Sequence, residues 1–207
     1  MKKVSKAAVI FLGLVTVLNY LPIILTVVYS FNKSKLTSVW EGFSLDWYKM
    51  LFNDGDIKKA LLNSIILAVL TCMLSLVIGV SAALAMRGKK LIFDDFISGF
   101  ASLPIMIPEI ILGMVFMAIF SYMNLPFGFV TMTIAHASFC VPYVFLIVRA
   151  RLMGMDSSLE EAARDLGASE LETFRDVTLP YILPGIASGL LLSFAMSFDD
   201  VVISIFT

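Results

Sequence analysis

At 207 residues, with 59% hydrophobic and only 15% charged side chains and a mean hydropathy of +0.95, the chain has too little polar surface for a soluble domain and belongs with membrane proteins. A net charge of -1 excludes a general nucleic-acid binder. The two cysteines, Cys72 and Cys140, fall in apolar runs without a partner at metal-ligand spacing, so they read as buried packing residues, and neither metal nor cofactor is expected.

Lys2, Lys3 and Lys6 precede an apolar run from Ala7 to about Phe31. The run is too long for a signal h-region and lacks a small-residue cleavage site, so it reads as an uncleaved first span. From Asn32 to Lys59 the composition turns polar, with Trp40, Phe43, Trp47 and Tyr48 among charges. These aromatics are read either as interfacial anchors or as contacts for a substrate-delivery protein. A second span runs from about Ala60 to Met86 and is followed at once by Arg87, Lys89 and Lys90. The third, roughly Phe96 to Tyr122, is interrupted by Pro104 and Pro108, which suit either a cavity lining or gate, or a helix end or kink set by packing. A turn at Asn124-Leu125-Pro126 leads to a fourth span, about Phe127 to Val148. Arg149 and Arg151 then open a polar segment, and a fifth span begins near Ile182.

The expected fold is therefore an all-α integral membrane bundle of about five spans, forming one domain over residues 1–207. A cytoplasmic N-terminus places Lys2, Lys3, Lys6, Arg87, Lys89, Lys90, Arg149, Arg151, Arg164 and Arg175 inside, as the distribution of basic residues requires.

The segment from Ser157 to Pro184 is the only long hydrophilic, periodic stretch. Ser157 with Glu160, and Ser158 with Glu161, each form an S-x-x-E capping box. Leu159, Ala162, Ala163 and Leu166 recur at helical spacing, and Gly167 ends the helix. Ser169 and Glu172 repeat the capping signal, Leu171, Phe174 and Val177 give a second apolar stripe, and Pro180 and Pro184 are expected to close it. Two short amphipathic helices joined at a glycine result.

No chemistry of its own is expected. Arg87-Gly88-Lys89-Lys90 lacks the earlier glycine, the following Ser or Thr and the preceding strand of a phosphate-binding loop. No H-E-x-x-H or G-x-S-x-G occurs, and His136, the single histidine, near Ser138, reads as a polar contact between helices. The acids in the spans carry more information. Glu109 follows Pro108, and Asp199 and Asp200 lie in the fifth span, with no Lys or Arg in any span to pair with them. Carboxylates are costly in a bilayer and normally face a cavity, a partner or a substrate, so the three suggest a pathway for a cation with separated charges. The alternative puts the aspartates in water at the outer mouth and Glu109 near an interface or protonated.

Glu161-Ala162-Ala163, then Gly167, then Val177-x-Leu179-Pro180, resemble the EAA signature of ABC importer permeases. The resemblance implies that residues 149–181 form the cytoplasmic coupling loop, with Glu161, Ala162, Ala163, Gly167, Leu179 and Pro180 facing the ATPase. Tyr20-Leu21-Pro22-Ile23, Ser30-Phe31-Asn32, Trp47-Tyr48, Asn63-Ser64 and Ser197-Phe198-Asp199-Asp200-Val201-Val202 resemble the PotC-type permeases of spermidine/putrescine transporters. That family implies a type I (MetI-like) bundle in the bacterial inner membrane and transport driven by ATP hydrolysed on separate subunits of PotA type. It also implies a homologous second permease of PotB type and an extracytoplasmic polyamine-binding protein of PotD type. Glu109, Asp199 and Asp200 then become substrate-pathway candidates. Family members usually have a sixth span, so one is expected to be missing here. Permeases for ferric iron, sulfate or thiamine share the loop, and a transporter driven by an ion gradient would share the buried acids; both readings stay open.

Overall fold

The computed structural model describes residues 5–36, 39–87 and 94–207, and among these the architecture is entirely helical apart from one isolated bridge between Asn32 and Phe43. Lys2, Lys3, Lys89 and Lys90 lie outside the described residues. The chain separates into two compact units, Met1–Ala60 and Leu61–Thr207.

In the first unit α1 (Lys6–Tyr29) has a mean hydropathy of 2.3 and not one buried residue. A helix apolar on every side is a membrane span, and 24 residues at about 1.5 Å each cross a hydrocarbon layer of about 30 Å. The polar stretch after it is folded. Buried Asn32 donates to the Val39 carbonyl (2.6 Å) and accepts from the Glu41 amide (2.9 Å). Trp47 of α2 (Asp46–Asn53) donates its indole N–H to the Asn32 carbonyl (2.9 Å). Phe31 stacks between Phe43 and Tyr48, with centroids 5.4 and 5.2 Å away. Trp47 and Tyr48 thus hold their own loop together.

The second unit takes in most of α3 (Gly55–Ala85), whose buried positions Leu67, Thr71, Ser75, Gly79 and Ala83 recur every fourth residue. Small side chains along one stripe let helices approach closely where lipid supplies no hydrophobic drive. A Cβ on Gly79 would lie 2.9 Å from Val144 Cβ, and one on Gly189 would lie 3.2 Å from Val144 Cα. Val144 belongs to α6 (Phe129–Met153), the most buried helix, and Gly189 to α9 (Leu179–Asp199), with which α6 packs most extensively. Val144 is therefore seated between two bare backbones. Two apolar clusters lie along α6. One gathers Ala83, Met86, Val144, Phe145, Val148, Leu152, Ile182 and Ile186. The other gathers Phe120, Ala135, Phe139, Cys140 and Ile203, the last from α10 (Val202–Phe206). Cys72 and Cys140 are free thiols turned toward the carbonyls of Leu190 and Ser193.

Two sequence expectations are corrected, whereas the third span is interrupted as expected. It consists of α4 (Asp94–Met106) and α5 (Glu109–Tyr122), with a 104° bend between Met106 and Glu109. Pro108, which cannot continue a helix from the residue before it, takes an extended ψ of 133°, while Pro104 stays inside α4. Pro180 and Pro184 do not stop the helix. A π-helical turn, Phe174–Thr178, precedes α9, Pro180 falls in its first turn where a missing N–H costs little, and the helix continues through Pro184 to Asp199. Neither the Ser157 nor the Ser158 capping box forms. The Asp156 carboxylate receives the Ser158 amide instead (3.0 Å), and Glu160 is drawn elsewhere.

Candidate functional site: a docking loop and an acidic cavity

Between α6 and α9 the polar segment forms α7 (Ser158–Asp165) and the short α8 (Glu170–Thr173). Gly167 joins them at φ +91°, a left-handed value that glycine adopts without strain. The Ser169 and Glu172 box forms as expected: the Ser169 amide donates to Glu172 Oε2 (2.8 Å) and the Glu172 amide to Ser169 Oγ (3.4 Å). That exchange holds the Glu172 carboxyl below the usual glutamate range. Leu166 is 89% and Leu171 76% exposed, while Phe174 and Val177 are half-buried. Glu161 and Ala162 are exposed as well, with Ala163 half-buried, Leu179 half-buried and Pro180 exposed at the start of α9.

Glu160 turns inward. It accepts hydrogen bonds from Arg87, just beyond the end of α3, and from Thr178 Oγ1 of the π turn. Burial works to raise its carboxyl, but these bonds and the Arg87 charge outweigh it and hold Glu160 below the usual glutamate range.

The bend before α5 and the end of α9 bring the intramembrane acids to one place. Glu109, the first residue of α5, lines a cavity of about 370 Å³ with Ala195, Met196, Asp199, Asp200, Val201 and Val202. Glu109 and Asp199 are exposed, and neither side chain makes a hydrogen bond or ion pair among the described residues. Asp200 differs. Its side chain is 3% exposed and accepts from the amides of Ile203 (3.3 Å) and Ser204 (3.1 Å), capping α10. His136 Nε2 donates to it at 3.2 Å, and His136 Nδ1 shares a hydrogen bond with Ser197 Oγ at 2.9 Å.

Expected to lack a basic partner in the spans, Asp200 has one after all. His136 is wholly buried, and its companions are Asp200, Ser197 and Ser204 rather than nearby Ser138, which bonds the Ile134 carbonyl. Its place in the middle of a span was the one available signal. Removing the imidazole would leave a buried carboxylate short of its partner. His136→Ala should therefore destabilise the bundle by about 3 kcal/mol or more, read from detergent denaturation of the purified subunit, with His136→Gln costing less.

Membrane-length helices packed around α6, an amphipathic hairpin between two of them and an acidic cavity beside a broken span define the membrane subunit of a transporter. Residues 75–207 match the profile of one family in particular. The chain belongs to the binding-protein-dependent transport system inner membrane components, multi-span permeases of bacterial ABC importers. It is 39% identical over 187 residues to the spermidine/putrescine transport system permease protein PotC of Haemophilus influenzae, covering 90% of this chain and 73% of that one. Identity to PotC of Escherichia coli K12 is 36% over 187 residues, covering 90% and 71%. Identity to the putrescine transport system permease protein PotI of the same strain is 37% over 194 residues, covering 90% and 69%. A crystal structure of a bacterial ABC transporter that imports the acidic polysaccharide alginate superposes with a TM-score of 0.69 at 19% identity, covering 95% of this chain and 74% of that one. An amino acid ABC transporter gives 0.57 at 22% identity, covering 78% and 74%. These two likenesses concern the fold alone.

Proposed function

We propose that the chain is the permease subunit of an ATP-driven polyamine importer, a single transmembrane domain over 1–207 that forms half of the translocation pathway. The observation that carries the substrate class is the cavity in which Glu109 and Asp199 stand without a cationic partner among the described residues. A cation with separated amino groups supplies what those carboxylates lack, and the names of the PotC and PotI relatives support the same class. The substrate pathway consists of Glu109, Asp199 and Asp200, with Asp200 acting through its hold on the α9–α10 junction.

Residues 149–181 couple the pathway to ATP. Glu161, Ala162, Ala163, Gly167, Leu179 and Pro180 contact a PotA-type ATPase on the cytoplasmic side, where the N-terminus also lies. A homologous PotB-type permease supplies the other half of the pathway, and a PotD-type binding protein delivers the polyamine from outside. ATP binding closes the ATPase dimer, draws the two coupling loops together and opens the pathway outward; hydrolysis resets it. The chain itself carries out no hydrolysis.

The test is ATP hydrolysis by the reconstituted complex in proteoliposomes. Spermidine-loaded binding protein should raise it several-fold over the empty protein, with matching uptake of labelled spermidine. Stimulation by a loaded sulfate- or iron-binding protein instead would keep the permease and discard the substrate. Uptake driven by an ion gradient without ATP would discard the mechanism.

A further inference from the structure

We infer that Arg87 is a positioning residue that ties the second span to the coupling loop, so that a push on α7 reaches α3 directly. This rests on the docking reading of that loop. The loop is directly continuous with α6 and α9, but Arg87 lies 73 residues before Glu160, with α4, α5 and α6 between them along the chain. Among the described residues, the polar side-chain contacts from the end of α3 to the loop all pass through Arg87. Its Nη1 donates to Glu160 Oε1 on the first turn of α7 and to Thr178 Oγ1 at 3.2 Å, and its Nη2 lies 3.5 Å from Met155 Sδ. Thr178 Oγ1 donates in turn to the same Glu160 oxygen.

One guanidinium therefore joins three segments: the end of α3, the exposed docking helix, and the last residue of the π turn. The geometry suits transmission. The Arg87 and Glu160 side chains are 25% and 14% exposed, so water screens the pair only in part, and Thr178 is buried. A planar fork holding two acceptors resists rotation better than a single point charge. The π turn is the irregular place in the long helical run from Glu170 to Asp199, and such turns recur at functional positions. Arg87 grips it at its junction with α9. A displacement of α7 that left α3 behind would strip a partly buried carboxylate of its cation.

The experiment uses the reconstituted complex of both permeases, ATPase and binding protein. Arg87→Gln and Glu160→Gln should assemble with normal amounts of ATPase while uptake, and the stimulation of hydrolysis by loaded binding protein, fall about tenfold. The exchange Arg87→Glu/Glu160→Arg should recover most of the loss. Arg87→Cys/Glu160→Cys, with Cys72 and Cys140 replaced by alanine, provides a test independent of folding. Bridging the pair with a bifunctional methanethiosulfonate of matched length should restore stimulation, and reductant should abolish it again within the same sample. Wild-type coupling in the single variants, or bridging without effect, overturns the tie. Glu161→Lys separates this outcome from failure of the docking reading. If Glu161→Lys keeps the ATPase bound and transport intact, the docking surface is wrong; if it loses them while the Arg87 variants couple normally, only the tie is wrong.

Discussion

Replacing Gly167 with proline should abolish transport while leaving the protein in the membrane. Gly167 sits at φ +91°, and its amide donates to the Arg164 carbonyl at 2.9 Å. Proline fixes φ near -65° and has no N–H, so both features are lost at once. The adjoining contact from the Ala168 amide to the Ala163 carbonyl (3.0 Å) goes with them, and α7 can no longer fold back against α8. The spans are untouched, because apart from its chain neighbours no atom lies within 4 Å of a Cβ built at Gly167. Uptake should fall more than a hundredfold, and the ATPase should fail to co-purify. Gly167→Asn, whose side chain tolerates the left-handed region, should keep most of the activity. Glu161→Lys attacks the same surface by charge rather than by backbone and should give the same loss. Normal uptake in Gly167→Pro or in Glu161→Lys removes the coupling assignment.

The second large effect is expected at the acidic cavity. Glu109→Gln and Asp199→Asn each preserve shape and remove one charge from a group that makes no hydrogen bond or ion pair among the described residues. Folding should therefore be unaffected. A hydrogen bond to a charged group contributes about 1.5–3 kcal/mol, so each change should lower spermidine uptake roughly 10- to 100-fold, and the double variant further. Stimulation of ATP hydrolysis by loaded binding protein should survive, because that signal passes through the loop. Asp200→Asn should behave differently. It disturbs the capped start of α10 and the bond from His136, so its first symptom should be a lower yield of folded complex. Equal uptake by wild type and by the Glu109 and Asp199 variants would remove the cation pathway from this cavity.

Much of this was legible in the sequence because it is local. Apolar runs locate the membrane helices, with α1, α6 and α9 beginning within a few residues of the expected positions and α3 a few residues earlier. Gly167 and the Ser169–Glu172 box announce the hairpin within a window of six residues. What the sequence hides are pairings across the fold. Glu160 looks like the partner of Ser157 three residues away, but Arg87 and Thr178 claim it, and the first cap passes to Asp156. His136 and Asp200 stand 64 residues apart, and only the packing of α6 against α9 and α10 joins them. The prolines mislead in one place. Pro108 interrupts its span as expected, whereas Pro180 and Pro184 do not close the helix, because a π turn precedes it and Pro180 falls in its first turn.

The seating of Val144 between Gly79 and Gly189 bears on how faithfully the bundle conveys motion. Interlocked long side chains act as springs: they swing through rotamers and dissipate a displacement before it travels far. A short, β-branched side chain has almost no such freedom, and a bare glycine surface has none. At this contact α3, α6 and α9 meet with little side-chain freedom to absorb a displacement.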